Sequence, residues 1–333
     1  MRVPSDNSVV YDIKGQKYLR YHHDRMVEQS IPVPEDMTPE GIYELAVRYY
    51  EGEGVEQSFD TAFRYYLMAA ERGHSTAMSN VGFMYDRGEG VERSAEKAFE
   101  WYKRSAELGC DVGEYNLACC YSSASGTSYD FKEAIRLLRS SAEKGYAPAQ
   151  AGLGRAYQHS IEVDRDMDEA IRWYTLAAEQ GNMSAQRSLG NIHYGTVYDR
   201  EDPEMAFKWL SMAAEQGDMD SYFSVAHMYS SGYGVEKSPE KAFEMFMPLA
   251  EKGDSSAQYR IACMYRDGDA VERSYPNAFK WFKSSAEQGH DKAQFELSRM
   301  YREGIAVEKD VEEADRWFDL YDEQRRYNEL YPI

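Results

Sequence analysis

Small and hydrophobic residues recur in this chain at a fixed interval of 36 residues. One position of the interval is always alanine, and Ser or Asp always stands four residues before it. Ser and Asp cap helix N-termini by accepting bonds from backbone N–H groups, and a methyl group repeated at one helical position indicates close contact between helices. The interval therefore predicts a helix, called helix B, that follows each capping residue. The capping residues are Ser58, Ser94, Asp130, Asp166, Asp202, Ser238, Ser274 and Asp310, and the alanines are Ala62, Ala98, Ala134, Ala170, Ala206, Ala242, Ala278 and Ala314.

A glycine closes each of the first seven helices B, since its tolerance of positive φ suits a helix end. These glycines are Gly73, Gly109, Gly145, Gly181, Gly217, Gly253 and Gly289. Before each helix B, a Leu, Val or Ile is followed by a small residue and then, three positions on, by Tyr or His. That spacing places one apolar stripe on a first helix, helix A, and the small residue leaves a notch in this stripe. A constant period of this length is typical of a solenoid.

The residues of one interval also resemble a known family. The pattern A-x(3)-L-G-x(2)-Y-x(2)-G-x-G-V, followed by A-x(2)-W-Y and A-E-x-G, is similar to the Sel-one-like repeats, relatives of the tetratricopeptide repeat. It is carried here by Ala77, Val81, Gly82, Tyr85, Gly88, Gly90, Val91, Ala98, Trp101, Tyr102, Ala106 and Gly109. The resemblance implies an all-α, right-handed alpha-alpha superhelix (solenoid) of eight 36-residue antiparallel helix-turn-helix repeats over residues 38–325. It also implies that the protein acts as an adaptor or scaffold.

Two segments lie outside the repeats. Residues 1–37 form an N-terminal extension, in which we expect a short helix over residues 16–29 and an extended, Pro-rich connector over residues 31–39, because the residue before proline disfavours helix. Its role is either a cap over the first hairpin or an arm that binds a partner. Residues 326–333 are expected to continue the last helix as a C-terminal tail.

The turn between helices A and B varies along the chain. Repeats 1, 2 and 6 carry two glycines there, as at Gly88 and Gly90, whereas repeats 7 and 8 have Ala270 and Ala306 at the second position. Repeats 3 to 5 depart further from this pattern. We therefore expect irregular loops in the middle of the array.

Composition narrows the functional classes. The chain has 58 acidic and 38 basic residues, and its net charge of −20 argues against nucleic-acid binding because phosphate backbones are repelled. No apolar run reaches the length of a membrane span, and the N-terminus lacks the apolar core of a signal peptide. The four cysteines do not follow the spacing that staples each hairpin in some secreted relatives. We therefore expect a cytoplasmic protein with reduced thiols; the sequence does not set its oligomeric state.

Sequence motifs that resemble nucleotide-binding or metal-binding sites lack residues that those sites require. The Gly-rich turns have no preceding strand and no P-loop lysine. Asp164, Asp166 and Asp168 imitate the start of a calcium loop, but Glu169 and Thr175 replace its glycine and its bidentate glutamate. We therefore expect no enzyme activity, no metal and no cofactor.

A glutamate occupies the last turn of every helix B, where the helix dipole disfavours it. We hypothesise that each one accepts hydrogen bonds from the free N–H groups that open the next helix A; the alternative is an exposed, solubilising acid. The glutamates are Glu71, Glu107, Glu143, Glu179, Glu215, Glu251, Glu287 and Glu323.

Positions beside the stripe of helix A do not follow the repeat, and by analogy with the tetratricopeptide repeats they would line a concave groove. They collect Arg, Tyr and Phe, the residues of interface hot spots. We predict that an acidic or aromatic-acidic protein segment docks on repeats 5 to 8; in the alternative, the arginines pair with Asp267, Glu296 and Glu303. The function predicted is a non-enzymatic interaction scaffold, and the alternative is an immunity or inhibitory protein that blocks an enzyme or toxin. The predicted contacts are Arg187, Tyr194, Phe223, His227, Tyr259, Arg266, Phe295, Arg299 and Arg302.

Overall fold

Sixteen α-helices follow one another in the computed structural model, which describes residues 9–11, 17–19, 37–159, 161–195 and 201–330. They alternate between helix A and helix B of eight repeats, so the predicted all-α solenoid of paired helices is confirmed. The A helices are α1 (Pro39–Glu51), α3 (Ser75–Arg87), α5 (Asp111–Ser123), α7 (Ala147–His159), α9 (Met183–Tyr194), α11 (Met219–Ser231), α13 (Ser255–Asp267) and α15 (Asp291–Glu303). The B helices are α2 (Phe59–Glu71), α4 (Ala95–Glu107), α6 (Phe131–Glu143), α8 (Met167–Glu179), α10 (Pro203–Glu215), α12 (Pro239–Glu251), α14 (Tyr275–Glu287) and α16 (Val311–Leu330).

Each helix B begins and ends as the sequence predicts. All eight predicted capping residues accept a backbone N–H of the first turn, as Asp202 does from Met205 at 3.1 Å. The closing glycines have positive φ, for example 92° at Gly73 and 95° at Gly217. In the last repeat Arg325 replaces the glycine, and α16 continues through it. The boundaries of the B helices are therefore local properties of the sequence.

The predicted alanine column forms the contact between the helices of each pair, because every one of the eight alanines is at most 1% exposed. Opposite it, the notch of helix A receives a large side chain of helix B. A Cβ atom on Gly82 would lie 2.8 Å from the Tyr102 ring, and one on Gly190 would lie 2.5 Å from Cγ of Leu210. The notch therefore sets how closely the two helices pack.

The chain divides into two compact units, residues 1–180 and 181–333. Unit 1 contains repeats 1 to 4, and its core includes the fully buried Phe63 and Leu153. Unit 2 contains repeats 5 to 8 and buries Phe246 and Phe282 completely. Burial of a side chain of this size contributes roughly 1.5–3 kcal/mol, so each unit has a hydrophobic core of its own.

The turns between helices A and B keep one backbone conformation where glycine is missing. Ala124, Glu162, Ala270 and Ala306 have φ values of 55°, 53°, 67° and 61°, in the left-handed region otherwise occupied by glycine. A residue with a Cβ atom pays roughly 1–2 kcal/mol for that conformation. The expected irregularity is therefore wrong at the described positions of repeats 3 and 4; residues 160 and 196–200 lie outside the described residues.

Before the repeats, strands β1 (Val9–Tyr11) and β2 (Lys17–Leu19) pair antiparallel, with Val10 opposite Tyr18. The expected helix over residues 16–29 is therefore wrong at 17–19. Its remainder lies outside the described residues, as does the Pro-rich connector before residue 37. None of the described helices is long and apolar enough to cross a lipid bilayer.

Candidate functional site

The predicted contact residues all belong to unit 2. They lie on its A helices α9, α11, α13 and α15, and we call the accessible side of these four helices the A-face. Side-chain contacts connect α9 to α11 and α13 to α15. Arg187 of α9 reaches Asp218 at the start of α11, and Arg266 of α13 reaches Glu296 of α15. Between these two pairs of helices, the charge of Arg260 on α13 acts on His227 of α11.

At the α9 end of the A-face, Tyr194 and His227 form a hydrogen-bonded pair. The Tyr194 hydroxyl lies 3.1 Å from Nδ1 of His227. The Tyr233 ring packs edge-on against Tyr194, with 5.2 Å between centroids; its hydroxyl donates to Glu201 at 2.6 Å and lies 3.1 Å from the Tyr194 carbonyl oxygen. Burial raises the pKa of Tyr194 and lowers that of His227, so both side chains are neutral near pH 7. They form an uncharged, hydrogen-bonded contact between α9 and α11.

The predicted aromatic residues have one side in the core and one side accessible. Phe223 packs against Phe246 at a centroid distance of 5.1 Å, and Tyr259 stacks on His290 at 4.7 Å. Phe295 is 41% exposed and touches Tyr321. These rings are held by their buried neighbours, so a partner can bury their remaining area with little loss of side-chain entropy.

The arginines at the C-terminal end gather around two carboxylates. Arg266 donates to Asp267 and to Glu296 at 2.8 Å, and Arg299 lies 2.9 Å from the other Glu296 oxygen. This hydrogen bonding lowers the pKa of Asp267. The pairing expected in the alternative interpretation is therefore present for Asp267 and Glu296.

Arg302 pairs with Asp315 at 2.6 Å, not with Glu303. Its side chain is 52% exposed and that of Asp315 is 61% exposed, and a pair this accessible contributes only about 0–1 kcal/mol. Arg187 and Arg299 are 41% and 43% exposed, but their partners Asp218 and Glu296 are only 7% and 13% exposed. The Arg302 guanidinium can therefore exchange its internal carboxylate for one on a partner, whereas Arg187 and Arg299 offer the accessible part of a guanidinium that stays bound.

Sequence reasoning missed Arg260. This residue is half-buried on α13, and its positive charge lowers the pKa of His227, after the larger effect of burial. Among the described residues it forms no hydrogen bond and no ion pair. A signal was available in its column, which reads Glu44, Asn80, Asn116, Gly152, Ser188, Ser224, Arg260 and Glu296 and places a cation only here.

The hypothesis about the glutamate column is wrong. Five A helices are capped by the residue that follows the closing glycine, as by Asn182 on Ala185 at 2.9 Å and Asp218 on Ser221 at 3.0 Å. His74, Asp254 and His290 cap in the same way. All eight glutamates are exposed. In those five helices a local cap already accepts a first-turn N–H, and the exposed alternative holds.

The described residues give no indication of metal chemistry, since no group of three or more His, Cys, Asp or Glu among them is placed to hold an ion. Cys110, Cys119, Cys120 and Cys263 are all free thiols. Burial raises the pKa of Cys120 to about 12 and also raises that of Cys263, so these two thiols stay protonated.

The paired helices, the alanine contacts and the variable A-face define an α-solenoid repeat protein. The Sel1 repeat matches residues 39–74, 75–110, 112–146, 147–182, 184–218, 220–254, 255–290 and 291–320. The chain therefore belongs to the Sel1 repeat family, whose members are in general scaffolds for protein interactions.

Solved structures agree with this assignment. A protective antigen of uropathogenic Escherichia coli with an SLR fold is 31% identical, with a TM-score of 0.68 over 89% of this chain. This chain spans only 65% of that antigen's length. A Sel1 repeat protein from Oxalobacter formigenes is 26% identical, with a TM-score of 0.53 over 86% of this chain and 83% of that one. No curated protein matches the sequence.

An immunity protein from Pseudomonas aeruginosa is 23% identical over 64% of this chain and 76% of its own, with a TM-score of 0.42. That likeness is too low to carry an argument about the partner of this chain.

Proposed function

We propose that this protein is a non-enzymatic scaffold that binds an acidic, aromatic-containing segment of another protein on the A-face of unit 2. One observation carries the proposal: accessible guanidinium groups alternate with anchored rings on that face, in a chain of net charge −20. Arg with Tyr and Phe is the composition of interface hot spots. An acidic segment would be repelled by most of the surface and attracted here.

The ion pairs divide the predicted arginines into two groups. Arg266 and its partner Glu296 are 23% and 13% exposed, so this pair belongs to the packing between α13 and α15. Arg302 and Asp315 are 52% and 61% exposed, and water already screens their attraction. Arg302, Arg299 and Arg187 are therefore the groups that meet the partner, and Arg266 holds the surface in shape.

The test uses a random twelve-residue peptide library displayed on phage and sorted on the full chain. We expect enriched peptides that combine Asp or Glu with Phe, Tyr or Trp. Their affinity should fall about tenfold in the double variant Arg299→Ala with Arg302→Ala, because two charge-assisted contacts of roughly 0.5–1 kcal/mol each are lost. Binding should also weaken as salt rises.

The matched control is Arg172→Ala with Arg316→Ala. Like Arg299, each of these residues pairs with a glutamate three positions earlier, and they are 55% and 68% exposed on B helices. The control removes the same charge from B helices: Arg316 lies on α16, in the same repeat as Arg299 and Arg302, and Arg172 lies on α8 of unit 1. Equal loss of affinity in the two double variants would show a diffuse charge effect and refute the proposed face.

A further inference from the structure

We propose that Arg260 is a carboxylate-binding site in the middle of the A-face, occupied by an Asp or Glu side chain of the bound protein segment. This inference rests on the proposed function and names the group that the face recognises. Four other arginines on the A-face, Arg187, Arg266, Arg299 and Arg302, have acidic partners within unit 2. Arg260 has none among the described residues.

The side chains on which the charge of Arg260 acts are polar, and Asp291 and Lys292 lie beside one of them, His290. That charge acts on Tyr194 and His227 on one side and, more weakly, on His290 on the other. Two acids of the neighbouring A helices are already engaged, since Asp218 binds Arg187, and Glu296 binds Arg266 and Arg299. A half-buried guanidinium without a counter-ion is a costly arrangement, and a carboxylate delivered by a partner would remove that cost.

Two neighbours can complete the site. With Tyr194 donating its hydroxyl hydrogen to Nδ1, a neutral His227 carries its own hydrogen on Nε2. His290 is fixed by stacking on Tyr259, and its Nδ1 accepts the Ala293 N–H at 3.3 Å. The forked guanidinium supplies paired donors that match a carboxylate, and His227 can add a neutral donor.

A carboxylate fits this site better than a phosphate. Phosphate carries nearly two negative charges and needs more than one free cation. Arg260 is the one arginine of the A-face that is unpaired among the described residues, and its neighbours Tyr194 and His227 are neutral. A single negative charge therefore balances the site.

The closing experiment uses peptides enriched on the full chain, with affinities measured by fluorescence anisotropy. Each Asp or Glu of a peptide is replaced in turn by Asn or Gln and tested against the natural protein and Arg260→Ala. We expect one acid whose amide version binds the natural protein about 10- to 100-fold more weakly, as for the loss of a charged hydrogen bond. Against Arg260→Ala the same replacement should change binding less than twofold.

Three variants serve as controls. Arg260→Lys keeps the charge without the fork and should recover part of the affinity. Arg260→Gln keeps the length of the side chain, and it replaces the alanine variant if circular dichroism shows that the latter does not fold. Arg299→Ala should leave the sensitivity to the critical acid intact.

The outcomes separate the two proposals. If every acid-to-amide change weakens binding equally on the natural protein and on Arg260→Ala, the carboxylate site is refuted, whereas dependence on Arg299 and Arg302 would leave the proposed face standing. If no peptide is enriched, the proposed function itself fails. The carboxylate assignment would be overturned if a peptide with phosphoserine in place of the critical acid bound more than tenfold more tightly.

Discussion

Two glycines of helix α7 should respond in opposite ways to the same substitution. Gly152 and Gly154 both lie inside the helix, so Gly→Ala at either site gains about 1 kcal/mol of helix propensity. Only Gly154 occupies the notch that receives helix B. We predict that Gly152→Ala stabilises repeat 4 and that Gly154→Ala destabilises it.

The contacts set the magnitudes. A Cβ atom on Gly154 would lie 2.9–3.0 Å from three atoms of the Tyr174 ring. That ring is 3% exposed, and its hydroxyl donates to Gln158 at 2.8 Å, so the ring cannot turn away. Overpacking costs roughly 1–3 kcal/mol, which exceeds the propensity gain and leaves a net loss of about 1 kcal/mol.

Gly152 has more room. An added Cβ atom would lie 3.1 Å from a terminal methyl of Leu138, the flexible end of a half-buried side chain. A small rotation relieves this contact, so most of the propensity gain of about 1 kcal/mol remains. The two variants should therefore differ by about 2 kcal/mol.

The assay is amide hydrogen exchange by mass spectrometry on peptides from α7 and α8. It reports local opening, which suits a repeat protein whose unfolding is not a single transition. A difference of about 2 kcal/mol corresponds to a roughly 30-fold difference in exchange rate between the variants. Equal protection, or slower exchange in Gly154→Ala than in the natural protein, would refute the notch as the determinant of helix spacing.

Two further predictions follow from turns and caps. Gly90→Ala should lower the free energy of unfolding by roughly 2–5 kcal/mol, because the new Cβ atom overlaps the Phe59 carbonyl oxygen and the left-handed backbone is strained. Gly73→Ala should lower it by only the strain of roughly 1–2 kcal/mol, since nothing lies near the new Cβ atom. Similar urea midpoints for the two variants would contradict this. Burial lowers the pKa of His290, and its Nδ1 caps α15 only when unprotonated, so stability should fall as pH drops below the unfolded-state value of about 6.5. His290→Asn keeps a cap at every pH and should reduce that loss in urea titrations from pH 7.5 to 5; an unchanged pH dependence would exclude His290 as its source.

The sequence by itself determined the repeats. Their signals are local: the Ser or Asp cap, the alanine and the closing glycine lie within one helix B, and backbone geometry turns their spacing directly into helix ends and a buried face. Asp166 and Gly217 could each be assigned from a few neighbouring residues. The caps of helix A are equally local, since His74 and Asn182 each accept a backbone N–H from three residues further on.

Tertiary structure decided the chemistry of the A-face. The columns predict which residues share that face, but the partner of a long side chain depends on rotamers and on the spacing of helices from different repeats. Arg302 therefore pairs with Asp315 instead of the adjacent Glu303, and one glutamate serves both Arg266 and Arg299.

Arg260 shows the same limit most clearly. Its column marks it as unusual, yet only the structure shows that Asp218 and Glu296 are bound to other arginines. Charge pairing is a competition among neighbours in space, and the sequence order of those neighbours does not determine which arginine is left without a counter-ion.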